Sequence, residues 1–252
     1  SISHRAIIIP SISRGKTEIV NILKSEDVLH TLEAFRKMGV TIEEKRDRLI
    51  IHGKGLNSLK KPKDEIYLGN SGTSARLLTG LLASQKFDTI IKGDNSLSKR
   101  PMERIINPLM KMNAEIQSNS GKMPLKIKGK NLRNINLEIT LPSAQIKSGL
   151  ILASLNTHGE TNITENKITR NHTELMLDYF GANINVSNKL NKRIIKINGQ
   201  KELLSKNISV PSDLSSSAFF IIAALINDNS HILLKNININ PTRNGILIAL
   251  EK

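Results

Sequence analysis

The sequence contains no cysteine and no tryptophan, and only two Tyr and five Phe among 252 residues. Without thiols there are no disulfides, no thiolate metal sites and no cysteine nucleophile. Aromatic residues at 3% leave few platforms on which the bases of a single-stranded nucleic acid could stack. Long apolar runs are missing too. The longest, Ala218 to Ile226, falls well short of the ~20 residues that cross a bilayer. The six histidines (His4, His30, His52, His158, His172 and His231) never pair at a spacing such as H-E-x-x-H, so no metal site is expected. G-x-S-x-G, Walker A and G-x-G-x-x-G are all absent, which leaves hydrolase, P-loop and dinucleotide readings without support. No signal or transit peptide is visible. The chain opens at Ser1 rather than Met, so a processed or missing N-terminus is expected.

Acidic residues are the last shortage. Asp+Glu number 22 against 37 Lys+Arg, a formal net charge of +15. Such an excess favours anionic partners: nucleic acid, an anionic membrane surface or small phosphorylated substrates. The scarcity of aromatics weakens the first of these. The chain is also rich in Ile, Asn and Lys, so part of the charge is compositional.

What is present is a repeat. Ser1 to Ile12 reads as a helix, against which Pro10 argues. Gly15 and Lys16 read as a turn, and Thr17 to Ile22 as a strand. Ser25-Glu26-Asp27 opens a second helix with acidic residues in its first turn. Its apolar face is Val28, Leu29, Leu32, Phe35 and Met38, and Gly39 is its expected C-cap. Two strands follow, Val40–Ile42 and Leu49–Gly53. The order then recurs: helix 74–84, strand 89–91, helix 102–112, strands 114–116 and 125–127. It recurs again: helix 144–155, strand 161–163, helix 172–180 ending at Gly181, strands 184–186 and 194–197. A fourth copy starts at Ser215. Arg5, Arg76, Lys147 and Ala218 hold matching places, each 71 residues beyond the last. Counting a strand before each first helix, every unit is βαβαββ. A period this long exceeds that of solenoids. The expected fold class is α/β, with the units packed around a shared pseudo-threefold axis and each burying its first helix. A boundary is expected near the Ser205-Lys206-Asn207 stretch, with a complete domain over 1–207 and the start of a second over 208–252. The last helix, Ile246 to Lys252, has no following cap or glycine, which predicts a truncated chain.

The chemistry concentrates where the repeated helices begin. Leu68-Gly69-Asn70-Ser71-Gly72-Thr73-Ser74-Ala75-Arg76 reads as a tight loop feeding a buried helix, with free N–H groups and the positive end of the helix dipole facing whatever lies above. Ser1-Ile2-Ser3-His4-Arg5 and Ser143-Ala144-Gln145-Ile146-Lys147 repeat the arrangement, with small polar residues first and a cation about one turn in. Units around one axis would converge these N-termini on a common anion site. Plain N-caps with solvated cations are the alternative. Ser98-Lys99-Arg100-Pro101 and Thr169-Arg170-Asn171-His172 precede second helices and supply guanidinium groups suited to bidentate anion contacts.

These motifs, with Pro211-Ser212-Asp213-Leu214-Ser215-Ser216, stand in the order found in the 5-enolpyruvylshikimate-3-phosphate (EPSP) synthases, and the chain resembles that family over its whole length. Ser143-Ala144-Gln145-Ile146-Lys147-Ser148 and Thr169-Arg170-Asn171-His172-Thr173-Glu174 are closer to its class II branch. The resemblance implies an enolpyruvyl transferase fold, an inside-out α/β barrel of two domains with three βαβαββ units each, closing on shikimate 3-phosphate and phosphoenolpyruvate. It implies transfer of the enolpyruvyl group to the 5-hydroxyl with release of phosphate, in aromatic amino acid biosynthesis, by an enzyme that glyphosate targets. It implies no cofactor, no metal, no nucleic-acid or membrane partner, a monomer when full length, and a cytoplasmic location. By resemblance, Ser1, Arg5, Ser143, Ala144, Gln145, Thr169 and Arg170 would bind shikimate 3-phosphate. Asn70, Gly72, Thr73, Arg100 and Gln145 would bind phosphoenolpyruvate. The family's Lys before Ser1 and the carboxylates of its second domain are not in this sequence, so no catalytic residue is assigned within it and the fragment alone is expected to be inactive.

Two rivals remain at this point. The UDP-N-acetylglucosamine enolpyruvyl transferases share fold and chemistry but usually carry a reactive loop cysteine, which this chain lacks. A basic RNA-binding protein built on similar units, like the RNA 3′-phosphate cyclases, would bind with steep salt dependence.

Overall fold

A computed structural model describes residues 1–251. In chain order the elements are α1 (Ile2–Ser11), β1 (Arg14–Val20), α2 (Glu26–Lys37), β2 (Thr41–Glu44) and β3 (Arg48–Lys54), then β4 (Ile66–Tyr67), α3 (Gly72–Ala83), β5 (Thr89–Lys92), the short α4 (Asn95–Ser98), α5 (Glu103–Lys111), β6 (Glu115–Asn119) and β7 (Lys122–Lys128). The third unit holds β8 (Asn136–Ile139), α6 (Ala144–Ser154), β9 (Glu160–Glu165), α7 (His172–Tyr179), β10 (Asn183–Lys189) and β11 (Lys192–Asn198). The chain continues through β12 (Ile208–Ser209), α8 (Leu214–Leu225) and α9 (Gly245–Leu250). The expected last helix reaches residue 252, which lies outside the described residues.

Three four-stranded sheets share one pattern. Their orders are β12-β1-β3-β2, β4-β5-β7-β6 and β8-β9-β11-β10. In each, a short leading strand runs parallel to the next, and the other two pairings are antiparallel. The 71-residue period is therefore a period of structure. The first sheet takes its leading strand from the far end, where Ile19 pairs with Ile208 and Val20 with Ser209. That strand starts immediately after the expected boundary at 207.

The strands turn one face inward, as alternation requires. In β7, Met123, Leu125 and Ile127 are buried while Lys122, Lys126 and Lys128 are exposed. Over these faces lie three buried helices. From Ser3 to Ser11 every residue of α1 is buried. So is nearly all of α3 and α6. Helices this apolar on all sides belong in an interior.

Two local expectations need correction, and a third, the helix from Ser1 to Ile12, holds despite Pro10. Gly15 and Lys16 form no turn but lie within β1, paired with Gly53 and His52. The helix α1 runs through Pro10 to Ser11, since the ring sits in the last turn and burial of the whole helix outweighs the lost hydrogen bond. Leu29, assigned to the apolar face of α2, is 41% exposed, because Val28, Leu32 and Phe35 already fill the contact with the core.

Candidate active site

Three helix N-termini are tied to one another through their own side chains. His4 of α1 places Nε2 3.1 Å from the Ser71 hydroxyl, the N-cap of α3. Gln145 of α6 donates from Nε2 to the Thr73 hydroxyl at 3.2 Å. Arg5 of α1 donates to the Ser148 hydroxyl of α6 at 2.7 Å. The convergence expected from the repeat is thus present as a closed triangle of contacts. The first-turn N–H groups that the Ser71 and Ser143 caps do not engage, with those of the side-chain-uncapped α1, make a positive environment without any side-chain charge.

The cations add to it. Arg76 lies half-buried beside Gly72, donating to the Gly72 carbonyl at 3.1 Å and the Pro101 carbonyl at 3.3 Å. Burial pulls its guanidinium below the usual arginine range, and Arg100 and Arg104 pull it further. Arg100 donates to the Asn70 side-chain oxygen, and Asn70 donates in turn to Asp94 at 3.0 Å. The Asn70 amide is therefore occupied in aiming Arg100. A Cβ on Gly72 would stand 2.9 Å from Arg100 Nη1 and 3.0 Å from Arg76 Nη1, so that glycine leaves room for both forks above the helix end.

A second concave region, about 650 Å³, has Ser1, Arg170, His172, Ser212, Asp213 and Arg243 among its lining residues. Arg5 lies just beneath, 3% exposed. It donates to Thr173 at 2.6 Å, Ser148 at 2.7 Å and the Ser1 carbonyl at 3.0 Å. Burial lowers it to about 10, so it remains a cation at neutral pH. Ser143 caps α6, its hydroxyl accepting the Ile146 N–H at 3.4 Å, and Ala144 beside it is buried. The Thr169 hydroxyl donates to Glu165, so its polar group is turned into the protein rather than toward the cavity.

One expectation fails. Lys147 does not join the anion site with Arg5 and Arg76. It is fully buried, 2.8 Å from Glu165 and 2.7 Å from Glu174. An ammonium one turn into an apolar helix is drawn to buried carboxylates, because solvation is out of reach. Sequence reading also missed Glu165, Arg104 and Asp94, and named Glu174 only within a motif and Asp27 only as a first-turn acid. The signal for Glu165 and Glu174 was the lone cation within the apolar α6.

A profile of the family described as EPSP synthase (3-phosphoshikimate 1-carboxyvinyltransferase) matches residues 1–252. The chain belongs to the EPSP synthase family. A 3-phosphoshikimate 1-carboxyvinyltransferase of Streptococcus agalactiae is 50% identical over all of this chain and 59% of its own length. Its counterpart in Ruthia magnifica is 52% identical over all of this chain and 57% of its own. The solved EPSP synthase of Acinetobacter baumannii superposes with a TM-score of 0.91 at 47% identity, covering 99% of this chain and 56% of that one. The chain thus spans somewhat under three-fifths of the length of these EPSP synthases. The likeness also carries the expected enolpyruvyl transferase fold.

The histidines give a pH prediction. His172 is lowered to about 4, first by burial and then by Arg5 and Arg170. His4 is also lowered, chiefly by burial, against the opposing pull of Asp27. Asp27 falls below the usual carboxylate range, first through His4, whose Nε2 lies 3.4 Å away, and then because Ser25 and the Val28 N–H donate to it. Both histidines therefore bind fewer protons folded than unfolded. Their contribution to stability is complete above about 6.5 and is lost as pH falls below it, for His172 down to about 4. Urea midpoints should drop between pH 7.5 and 5, and His172→Asn should flatten that slope. An unchanged slope would mean that His172 titrates alike in both states.

Proposed function

We propose that this chain forms the shikimate 3-phosphate wall and part of the phosphoenolpyruvate site of a 3-phosphoshikimate 1-carboxyvinyltransferase. The observation that carries the reading is the meeting of three helix N-termini beside five arginines, Arg5, Arg76, Arg100, Arg104 and Arg170. In this reading the enzyme transfers the enolpyruvyl group of phosphoenolpyruvate to the 5-hydroxyl of shikimate 3-phosphate and releases phosphate. It works as a cytoplasmic monomer without metal or organic cofactor. Among the described residues no helix is long and apolar enough to cross a membrane. Relatives named for this activity favour it over the UDP-sugar and RNA readings.

Each group then has a physical task. Ser1, Arg5, Ser143, Ala144 and Arg170 take the phosphate and ring of shikimate 3-phosphate. Thr169 serves that site by shaping the loop before Arg170. Gly72 and Thr73 offer the α3 N-terminus to phosphoenolpyruvate, Arg100 pairs with its anionic groups, and Asn70 aims Arg100. Gln145, bonded to Thr73, stands between the two sites. Two anions repel each other, so holding them together takes fixed cations and dipoles that need no reorganisation during reaction. The complete domain covers 1–207, with Ile208 and Ser209 closing its first sheet, and the remainder begins the second domain.

The test is Arg100→Ala in the intact enzyme bearing this sequence. Losing a buried contact to an anion costs about 2–5 kcal/mol, whereas a surface pair contributes about 0–1 kcal/mol. The expected fall in kcat/KM for phosphoenolpyruvate is about tenfold or more. A fall below about threefold would return Arg100 to the surface class.

A further inference from the structure

One buried ammonium grips both ends of the segment that carries Thr169 and Arg170. Lys147 is 0% exposed, and its partners Glu165 and Glu174 are 1% and 2% exposed. Glu165 is the last residue of β9, and Glu174 lies in the first turn of α7. Lys147 Nζ donates to Glu165 Oε2 at 2.8 Å and lies 2.7 Å from Glu174 Oε1. The second oxygen of Glu165 accepts from the Thr169 hydroxyl. The Thr169 carbonyl accepts from Arg193 Nη1 of β11 at 2.9 Å. Between the two glutamates, Asn166, Lys167 and Ile168 are exposed, and Arg170 reaches the cavity beside Ser1.

We infer that Lys147, Glu165 and Glu174 form a clamp that positions Arg170 at the anion site, and that Glu165 is its principal positioning residue. Three buried charges are poor value as stability alone. Apolar replacements of a buried charge cluster are often neutral or stabilising, because desolvation consumes the Coulombic gain. What such a cluster supplies is a fixed geometry, and here the geometry it fixes is the path of one loop. The Coulombic influence of Glu174 on Arg5 ties the clamp to the second buried cation. Arg5 and Lys147 offset the two carboxylates, so the clamp adds no net negative charge beneath the phosphate.

The loop contains its own reporter, since trypsin cuts after Lys167 and Arg170. In this 252-residue chain, Glu165→Gln removes the charge but keeps the shape. A lost hydrogen bond to a charged group corresponds to a change of about ten- to hundredfold in local opening. Cleavage after Lys167 and Arg170 should accelerate by at least about tenfold, while cleavage after the exposed Lys189 and Lys192 stays at the parent rate. Cleavage of the loop at the parent rate, or equal acceleration at every site, would overturn the clamp. Lys147→Met/Glu165→Gln/Glu174→Gln guards against a variant that merely fails to fold. It should melt near the parent temperature yet show the same selective nicking, and a protected loop in that variant would overturn the inference.

The link to the anion site rests on the function proposed above and is tested separately by calorimetry with shikimate 3-phosphate. If Glu165 acts through Arg170, Glu165→Gln/Arg170→Ala binds no more weakly than Arg170→Ala alone. Additive losses would overturn that link. Selective nicking together with unchanged affinity in Arg170→Ala would instead leave the clamp standing and remove Arg170 from the phosphate site.

Discussion

Gly80→Ala is expected to lower the melting temperature by about 6–12 °C, although alanine is the better helix former. Gly80 lies in α3 where it crosses α6. A Cβ there would stand 1.9 Å from the Gly149 carbonyl oxygen and 2.5 Å from its carbon. From the other side, a Cβ on Gly149 would stand 2.6 Å from the Arg76 oxygen. These obstacles are backbone in two buried helices and cannot rotate aside. Alanine gains about 1 kcal/mol of helix propensity over glycine. Overpacking a tight interior costs about 1–3 kcal/mol and occasionally more, and a contact this short against backbone belongs at or beyond the upper end. A net loss near 3 kcal/mol corresponds to that melting shift for a chain of this size. The helices can only relieve the clash by separating, which would also stretch the Gln145–Thr73 contact between their N-termini. Circular dichroism melting checks it, and a shift under about 2 °C would mean that the crossing is looser than its geometry.

Arg5→Ala should be comparably damaging, and by a different route. Of the five N–H donors of a guanidinium, Arg5 commits one each to Thr173, Ser148 and the Ser1 carbonyl, leaving two for a ligand. Truncation strips the Ser148 and Thr173 hydroxyls of a shared donor and leaves the buried Glu174 with less compensating charge. Removing one partner from a buried charged network costs about 3–5 kcal/mol. Urea denaturation should register that loss and, on the function proposed above, shikimate 3-phosphate binding should fall below detection. Arg5→Lys keeps the charge but loses the planar fork, so it should recover only part of each. A loss of stability under about 1 kcal/mol in Arg5→Ala would mean that the buried network re-forms without Arg5.

Much of the fold was legible because the repeat is long and regular. Matching residues 71 apart located the helices α1, α3 and α6 and the strands after them, and three equivalent sheets follow. The leading strands were only inferred from the pattern. Ile66–Tyr67 and Ile208–Ser209 are two residues each, too short for any periodicity, and they exist because a neighbouring strand offers them an edge. Within the site, sequence motifs indicated which residues gather but not which polar groups satisfy one another. Asn70 and Thr169 look alike as ligand-binding candidates, yet their side chains engage Arg100 and Glu165. Lys147 shows the same limit, since its partners arrive 18 and 27 residues later and no local pattern announces them.

The closing of the first sheet by β12 has a kinetic side. Ile19 waits for Ile208, 189 residues further on, whereas β4 and β8 each lead a sheet formed from the residues that follow them directly. At synthesis rates of roughly 5–20 residues per second, the free edge of β1 stays open for about 10–40 s during translation. An unpaired edge is a template for mispairing with another chain. The order of completion is therefore inverted: the second and third sheets can finish on the ribosome while the first, although made earliest, closes last and locks the ring of three.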